Sequence, residues 1–174
     1  MRRTSFEDWP CSIARTADML GDGWTLLVLR EAFYGETRFD GFIEALSIAR
    51  NTLTDRLRRL VDAGLLDRRP YQADPVRHDY ALTEKGRDFF GVLAALNAWG
   101  DRWLAGEPGA PVLLRHDACG QDVHAEVVCG HCEQPLAPAD VTPRPGPGYP
   151  QRLLNRPAVQ RRFGAPLAAG APGM

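Results

Sequence analysis

The sequence predicts a mostly α-helical domain that carries one β-hairpin, followed by a small β-rich segment holding cysteines and histidines. Three observations predict this. Apolar residues recur at helical spacing over most of residues 11–104. That periodicity gives way once, at "LLDRRPY" and "VRHDYAL", to two strand-like runs around "QAD" and Pro75. Finally, three of the four cysteines fall late, beyond a Gly/Pro-rich break at "AGEPGAP".

The elements follow in order. "PCSIARTADMLG" reads as a short helix, with Ile13, Ala17 and Leu20 on one face and Gly21 as its stop. "GWTLLVLREAFYG" is apolar around most of its circumference and is expected to be a buried helix ending at Gly35. Thr37 to Phe39 suggest a short strand, and Phe42, Ile43 and Leu46 mark one face of the next helix. After the tight connection "SIA", "RNTLTDRLRRLVDAG" places Leu53, Leu57, Leu60 and Val61 on one stripe and stops at Gly64. Behind the hairpin, Thr83 is expected to cap a long helix through Trp103. Phe89, Phe90, Leu93, Leu96, Trp99 and Trp103 then form a stripe larger than the last helix of a small monomer needs, so with Ile13 they are expected to meet a second copy.

Two short helices joined by a tight turn, followed by a β-hairpin, describe a winged helix-turn-helix, whose second helix enters the DNA major groove. The expected boundaries are residues 1–104 for this domain, 112–141 for the Cys/His subdomain and 142–174 for a Pro/Gly-rich tail without stable structure, in which "QRLLNRPAVQRRF" is at most a transient helix or docking segment.

A helical wheel turns Asn51, Asp55, Arg58, Arg59 and Asp62 away from the leucine stripe, with Thr52 and Arg56 on one flank and Thr54 on the other. Arg50, Asn51, Thr52 and Asp55 lie at the helix start, where base edges are read. Asn can hold adenine and Arg guanine by paired hydrogen bonds. Arg56, Arg58 and Arg59 suit phosphates, and Arg68, Arg69, Arg77 and His78 on the hairpin suit the flanking backbone. From Ser47 to Arg77 seven arginines face four aspartates, a local surplus of three on a chain of net charge -1.

From about Cys11 to Trp103 the chain resembles the HxlR-type, MarR-like winged-helix transcriptional regulators of bacteria. The resemblance lies in "CSIARTADMLGDGWTLLVLREAFYGETRFDGFIEAL", "ARNTLTDRLRRLVDAGLLDRR" and "YALTEKGRDFFGVLAALNAWG" taken in order. It implies a homodimer joined through the first and last helices, two recognition helices on a pseudo-palindromic operator of double-stranded DNA, and most often repression. It also implies that an early cysteine, here Cys11, can sense thiol oxidation, and that a small-molecule effector can alter the spacing of the two helices. Gly23 stands where the family usually has lysine. Ala49 stands where a small polar cap is common, so Ser47 is expected to take over part of the capping.

His116 and Cys119 share the two-residue spacing of Cys129 and Cys132, so the four could hold a structural zinc, with His124 or His131 replacing His116. A Cys129–Cys132 redox pair and reduced, packed thiols are the other two readings. The N-terminus lacks a signal-like apolar region and no run of 18 apolar residues occurs, so a cytoplasmic protein without membrane contact is expected. No phosphate loop, nucleophile elbow or convergent acid set suggests an enzyme. The rival expectation is a thiol- or metal-sensing adaptor that works through its C-terminal cluster and whose winged helix has lost DNA binding. The arginines of helix and hairpin speak against it.

Overall fold

A computed structural model describes residues 5–163. The chain forms two compact units that divide between Ala125 and Glu126, inside the segment expected to be a single Cys/His subdomain. The division follows the local pairing. His116 and Cys119 belong to a hairpin of the first unit, Cys129 and Cys132 to a turn of the second.

The first unit begins with α1 (Ser12–Leu20) and α2 (Gly23–Phe33), joined at Gly21, whose φ of 81° is open to glycine. Asp22 starts α2 by accepting the Thr25 backbone N–H at 3.2 Å. Val28, Leu29 and Ala32 are buried, but Trp24 and Leu27 are exposed. The expectation of a helix buried all round is therefore corrected: one side of α2 stays open, because nothing in the unit covers it. α3 (Phe39–Leu46) buries Phe42, and α4 (Arg50–Asp62) buries Leu53, Leu57 and Leu60. These side chains meet Val28, Leu29, Leu65 and Leu66 in one core. Each buried leucine contributes about 1.5–3 kcal/mol relative to exposure, so this cluster fixes how α4 sits on α2.

Ser47 adopts the left-handed conformation (φ 49°) and closes α3 through its N–H to the Ile43 carbonyl at 2.9 Å. It does not cap α4, whose N-cap is Ala49 with no side-chain bond. The expected capping role of Ser47 is corrected: the residue ends one helix and lies two positions short of starting the next.

β1 (Leu66–Ala73) and β2 (Val76–Leu82) pair antiparallel, with an irregularity between Pro70 and Gln72, where proline offers no N–H. The short strand expected at residues 37–39 reduces to a single bridge between Arg38 and Asp79, supported by the Tyr80 N–H to the Thr37 carbonyl at 2.9 Å. The helix expected beyond Thr83 is interrupted. α5 (Glu84–Asp88) ends where Phe89 turns into the core, and α6 (Phe90–Leu104) begins again after it. A last hairpin, β3 (Leu114–His116) with β4 (Gln121–Val123), completes the unit.

In the second unit Val128 bridges to Pro135, and a 3-10 turn covers Pro138–Asp140. α7 (Gln151–Leu154) and α8 (Pro157–Arg162) then correct the expectation of an unstructured tail over residues 142–163. Pro150 and Pro157 preset the backbone at their starts, and Tyr149 meets Phe163 edge-on at 5.1 Å. The remainder of the expected tail, residues 164–174, lies outside the described residues. Among the described residues no helix is long and apolar enough to cross a membrane.

Candidate nucleic-acid interface

The leucine stripe of α4 leaves the opposite face outward. Asn51, Thr54, Asp55 and Arg58 are exposed there, with Thr52 and Arg59 half-covered beside them. Arg50, at the first turn, reaches Asp40 of α3 at 3.0 Å and lies 5.0 Å from the Phe39 ring. Arg58 holds Asp55 at 2.8 Å, one turn back. The Thr54 hydroxyl donates to the Arg50 carbonyl at 2.9 Å, so its proton serves the helix itself.

Arg56 is placed differently. Its guanidinium is mostly covered and meets Asp22 at 2.6 Å, across from the Asp22 oxygen that receives the Thr25 N–H. One carboxylate thus starts α2 and ties α4 to it. Arg56 Nε is buried without a hydrogen-bond partner, which makes this guanidinium an inward-facing group, unlike the neighbours with which the helical wheel groups it.

On the hairpin, Arg68 meets His78 Nδ1 at 3.1 Å and Arg69 meets Asp67 at 2.8 Å, while Arg77 is exposed. The sequence reading missed Arg38. Its guanidinium lies 3.3 Å from the Tyr71 ring centroid and 2.9 Å from Asp79, locking the hairpin to the start of α3. Arg38, Arg50, Arg77, His78 and Tyr71 line a cleft of about 280 Å³ between hairpin and helices, with Asp40 at its edge. No local pattern marks Arg38, because its partners lie more than thirty residues further along the chain.

A second surface lies along α6. Phe90 (49% exposed), Leu96 (49%), Trp99 (58%) and Trp103 (62%) stand open, as does Ile13 of α1 (81%). Leu93 is half-buried against the core, and Phe89 is buried within it. Phe89 is therefore corrected from surface to core; it falls at the break between α5 and α6, where its ring turns inward. An apolar groove of about 630 Å³ runs between α2 and α6, bordered by Leu26, Leu27, Phe33, Leu93 and Trp99.

The cysteines are all free thiols. Cys11 is half-buried at the start of α1, with its carbonyl accepting the Arg15 N–H at 3.1 Å. Cys119 Sγ lies 3.4 Å from His116 Nδ1, on a turn closed by the Gly120 N–H to the His116 carbonyl at 2.7 Å. In the second unit the backbone N–H groups of Cys132 and His131, together with the Cys132 thiol, hold the Cys129 thiol below its ordinary value. Among the described residues no three or more His, Cys, Asp or Glu side chains gather as a metal set.

Residues 19–108 match the model of the HxlR-like helix-turn-helix family. The chain belongs to that family. An uncharacterised HTH-type transcriptional regulator of Mycobacterium tuberculosis is 46% identical over 144 residues, covering 83% of this chain and 91% of its own. Among solved structures, PA1607, described as a candidate transcription factor, is 37% identical with a TM-score of 0.73, covering 81% of this chain and 99% of its own. PA1374 of Pseudomonas aeruginosa, described in the same way, is 38% identical with a TM-score of 0.60, covering 87% and 99%. The HxlR-like chain is thus a helix-turn-helix transcriptional regulator, and α4 with the β1–β2 hairpin is its recognition helix and wing. Its similarity to PA1607 and PA1374 extends beyond the family-model segment.

Proposed function

We propose that the protein is a homodimeric, sequence-specific DNA-binding repressor. The observation that carries this reading is the outward face of α4. Asn51, Thr54, Asp55 and Arg58 stand over a fully buried leucine stripe, beside a hairpin that presents Arg68, Arg69 and Arg77. In this reading α4 enters the major groove, where Arg50, Asn51, Thr52 and Asp55 meet base edges. Arg58, Arg59 and the hairpin residues meet phosphates. The cleft bordered by Arg38, Arg50, Arg77 and His78 suits a backbone phosphate between the two. The ion pairs Arg50–Asp40, Arg58–Asp55 and Arg69–Asp67 do not oppose this. Exposed pairs of this kind contribute about 0–1 kcal/mol, so a phosphate can displace the aspartate at small cost.

The α6 face is assigned to a second copy. Four large apolar side chains stand open along one helix, with Ile13 of α1 open as well, and the adjoining groove is lined mainly by apolar side chains. A two-fold pair would carry two α4 helices to a pseudo-palindromic site and repress by occupying promoter DNA. Cys11, near Ile13, puts an oxidisable group on the element expected to meet the partner.

The test is a mobility-shift series on the DNA upstream of the protein's own gene. Footprinting should reveal two half-sites about one helical turn apart. Affinity should fall steeply with salt, log K being linear in log salt. Binding that is insensitive to salt, or no binding to that DNA or to a selected random library, would refute the assignment.

A further inference from the structure

We propose that the Cys129–Cys132 turn is a reversible dithiol–disulfide site, at which a hydroperoxide converts the two thiols into a disulfide within the turn. The inference is independent of the DNA-binding reading and lies wholly within the second unit.

The backbone builds the site. Cys129 and Cys132 stand at the two ends of one tight turn. The Glu133 N–H donates to the Cys129 carbonyl at 2.9 Å, and the Cys129 N–H donates to the Gln134 carbonyl at 2.8 Å. Outside these, the Leu136 N–H donates to the Val127 carbonyl at 2.9 Å, and Val128 bridges to Pro135. Glu133 completes the reversal with φ 61°, a left-handed conformation that a side chain adopts only where its surroundings hold it. Four main-chain contacts thus hold the two cysteines near one another without help from the rest of the molecule.

The sulfurs have distinct roles. The N–H groups of His131 and Cys132 are directed at the Cys129 sulfur, and the Cys132 thiol is its side-chain neighbour. Hydrogen bonds of this kind favour the thiolate, which is the nucleophilic form. Cys132 is exposed and stands ready as the resolving thiol. The other two cysteines lack this arrangement. Cys119 has an imidazole, not a thiol, as its printed neighbour, and Cys11 lies at a helix start with no side-chain cap bond.

The chemistry balances. The Cys129 thiolate attacks the distal oxygen of the hydroperoxide; an S–O bond forms, the O–O bond breaks, and the leaving alkoxide or hydroxide takes a proton. The Cys132 thiolate then attacks the Cys129 sulfenic sulfur; the S–S bond forms and the S–O bond breaks, releasing water. The two thiols together lose two electrons and two protons, and the hydroperoxide is reduced to an alcohol (or water) plus one further water. A dithiol reductant reverses the change by exchange.

Full-length protein, reduced and then freed of reductant, is exposed to a small excess of hydrogen peroxide. Free thiols are blocked with N-ethylmaleimide and the chain is digested for mass spectrometry. The expected product is the peptide spanning residues 129–132, unblocked at both cysteines and lighter by two hydrogens, and regenerated by dithiothreitol. The double variant Cys11→Ser/Cys119→Ser should form the same product in similar yield. Cys132→Ser should instead stop at a Cys129 sulfenic acid that dimedone traps. A disulfide from either residue to Cys11, Cys119 or a second chain overturns the proposal. So does full blocking of both thiols after peroxide, or co-purified zinc that shields them from both reagents.

Discussion

Arg56 and Arg58 stand two positions apart on α4 and are chemically identical, yet they face different environments. Arg56 is drawn under the helix to Asp22, and Arg58 points outward, paired only with an exposed aspartate. Replacing Arg58 by Ala should leave the urea midpoint within experimental error while weakening operator and random DNA alike. It should also lower the salt slope by about one per subunit in contact. Replacing Arg56 by Met should do the reverse at first order. It leaves Asp22 with the Thr25 N–H alone and is expected to cost about 1–2 kcal/mol of stability, kept low because Asp22 retains contact with water. Urea unfolding with a parallel DNA titration separates the two. Similar stability losses in both variants would show that the inward and outward placements are misassigned. The helical wheel placed both arginines on the polar side, because periodicity records angle around the axis and not the reach of a long side chain toward a neighbouring element.

At the scale of elements, the junction between the wing and α5 holds the hairpin in place. Thr83 accepts the Gly86 N–H at 2.9 Å and donates to the Gly64 carbonyl at 2.7 Å, joining the end of α4, the end of β2 and the start of α5. A Cβ on Gly86 would collide with the Leu65 carbonyl oxygen, so here glycine is required by close approach and not by its φ. Thr83→Val should cost about 1 kcal/mol through the lost cap, and Gly86→Ala about 1–3 kcal/mol through the forced shift of the wing against α4. Denaturant midpoints measure both, and Gly86→Ala should be the larger. The order of elements was legible in the sequence because each helix has its own stripe and its own stop. The break at Phe89 was not, because Phe89 continues the helical stripe while its ring is drawn inward by tertiary packing with the core. Ser47 escaped for the opposite reason: a serine near a helix start reads as a cap, and only the backbone reveals that it ends the preceding helix.

For the whole molecule, the open side of α6 sets the state of assembly. Trp99→Glu with Trp103→Glu places two charges on the face left uncovered and should convert a dimer to a monomer in sedimentation velocity. Far-UV circular dichroism should stay unchanged, because neither ring is in the core. A dimer that survives the double change would move the interface elsewhere. The winged domain was readable from one sequence because its core, its hairpin and its turns all lie within about eighty residues of local pattern. The C-terminal part was less so. Its cysteine spacing suggested one four-ligand centre, whereas the pairs belong to two compact units, each with its own turn. The tie between Arg56 and Asp22 has a last consequence. Since α4 is held by its leucines and by one inward guanidinium, the docking angle of the helix is independent of what its outer residues are. Duplicated genes could therefore diversify Asn51, Thr54, Asp55 and Arg58 freely and acquire new target sites while inheriting the same scaffold.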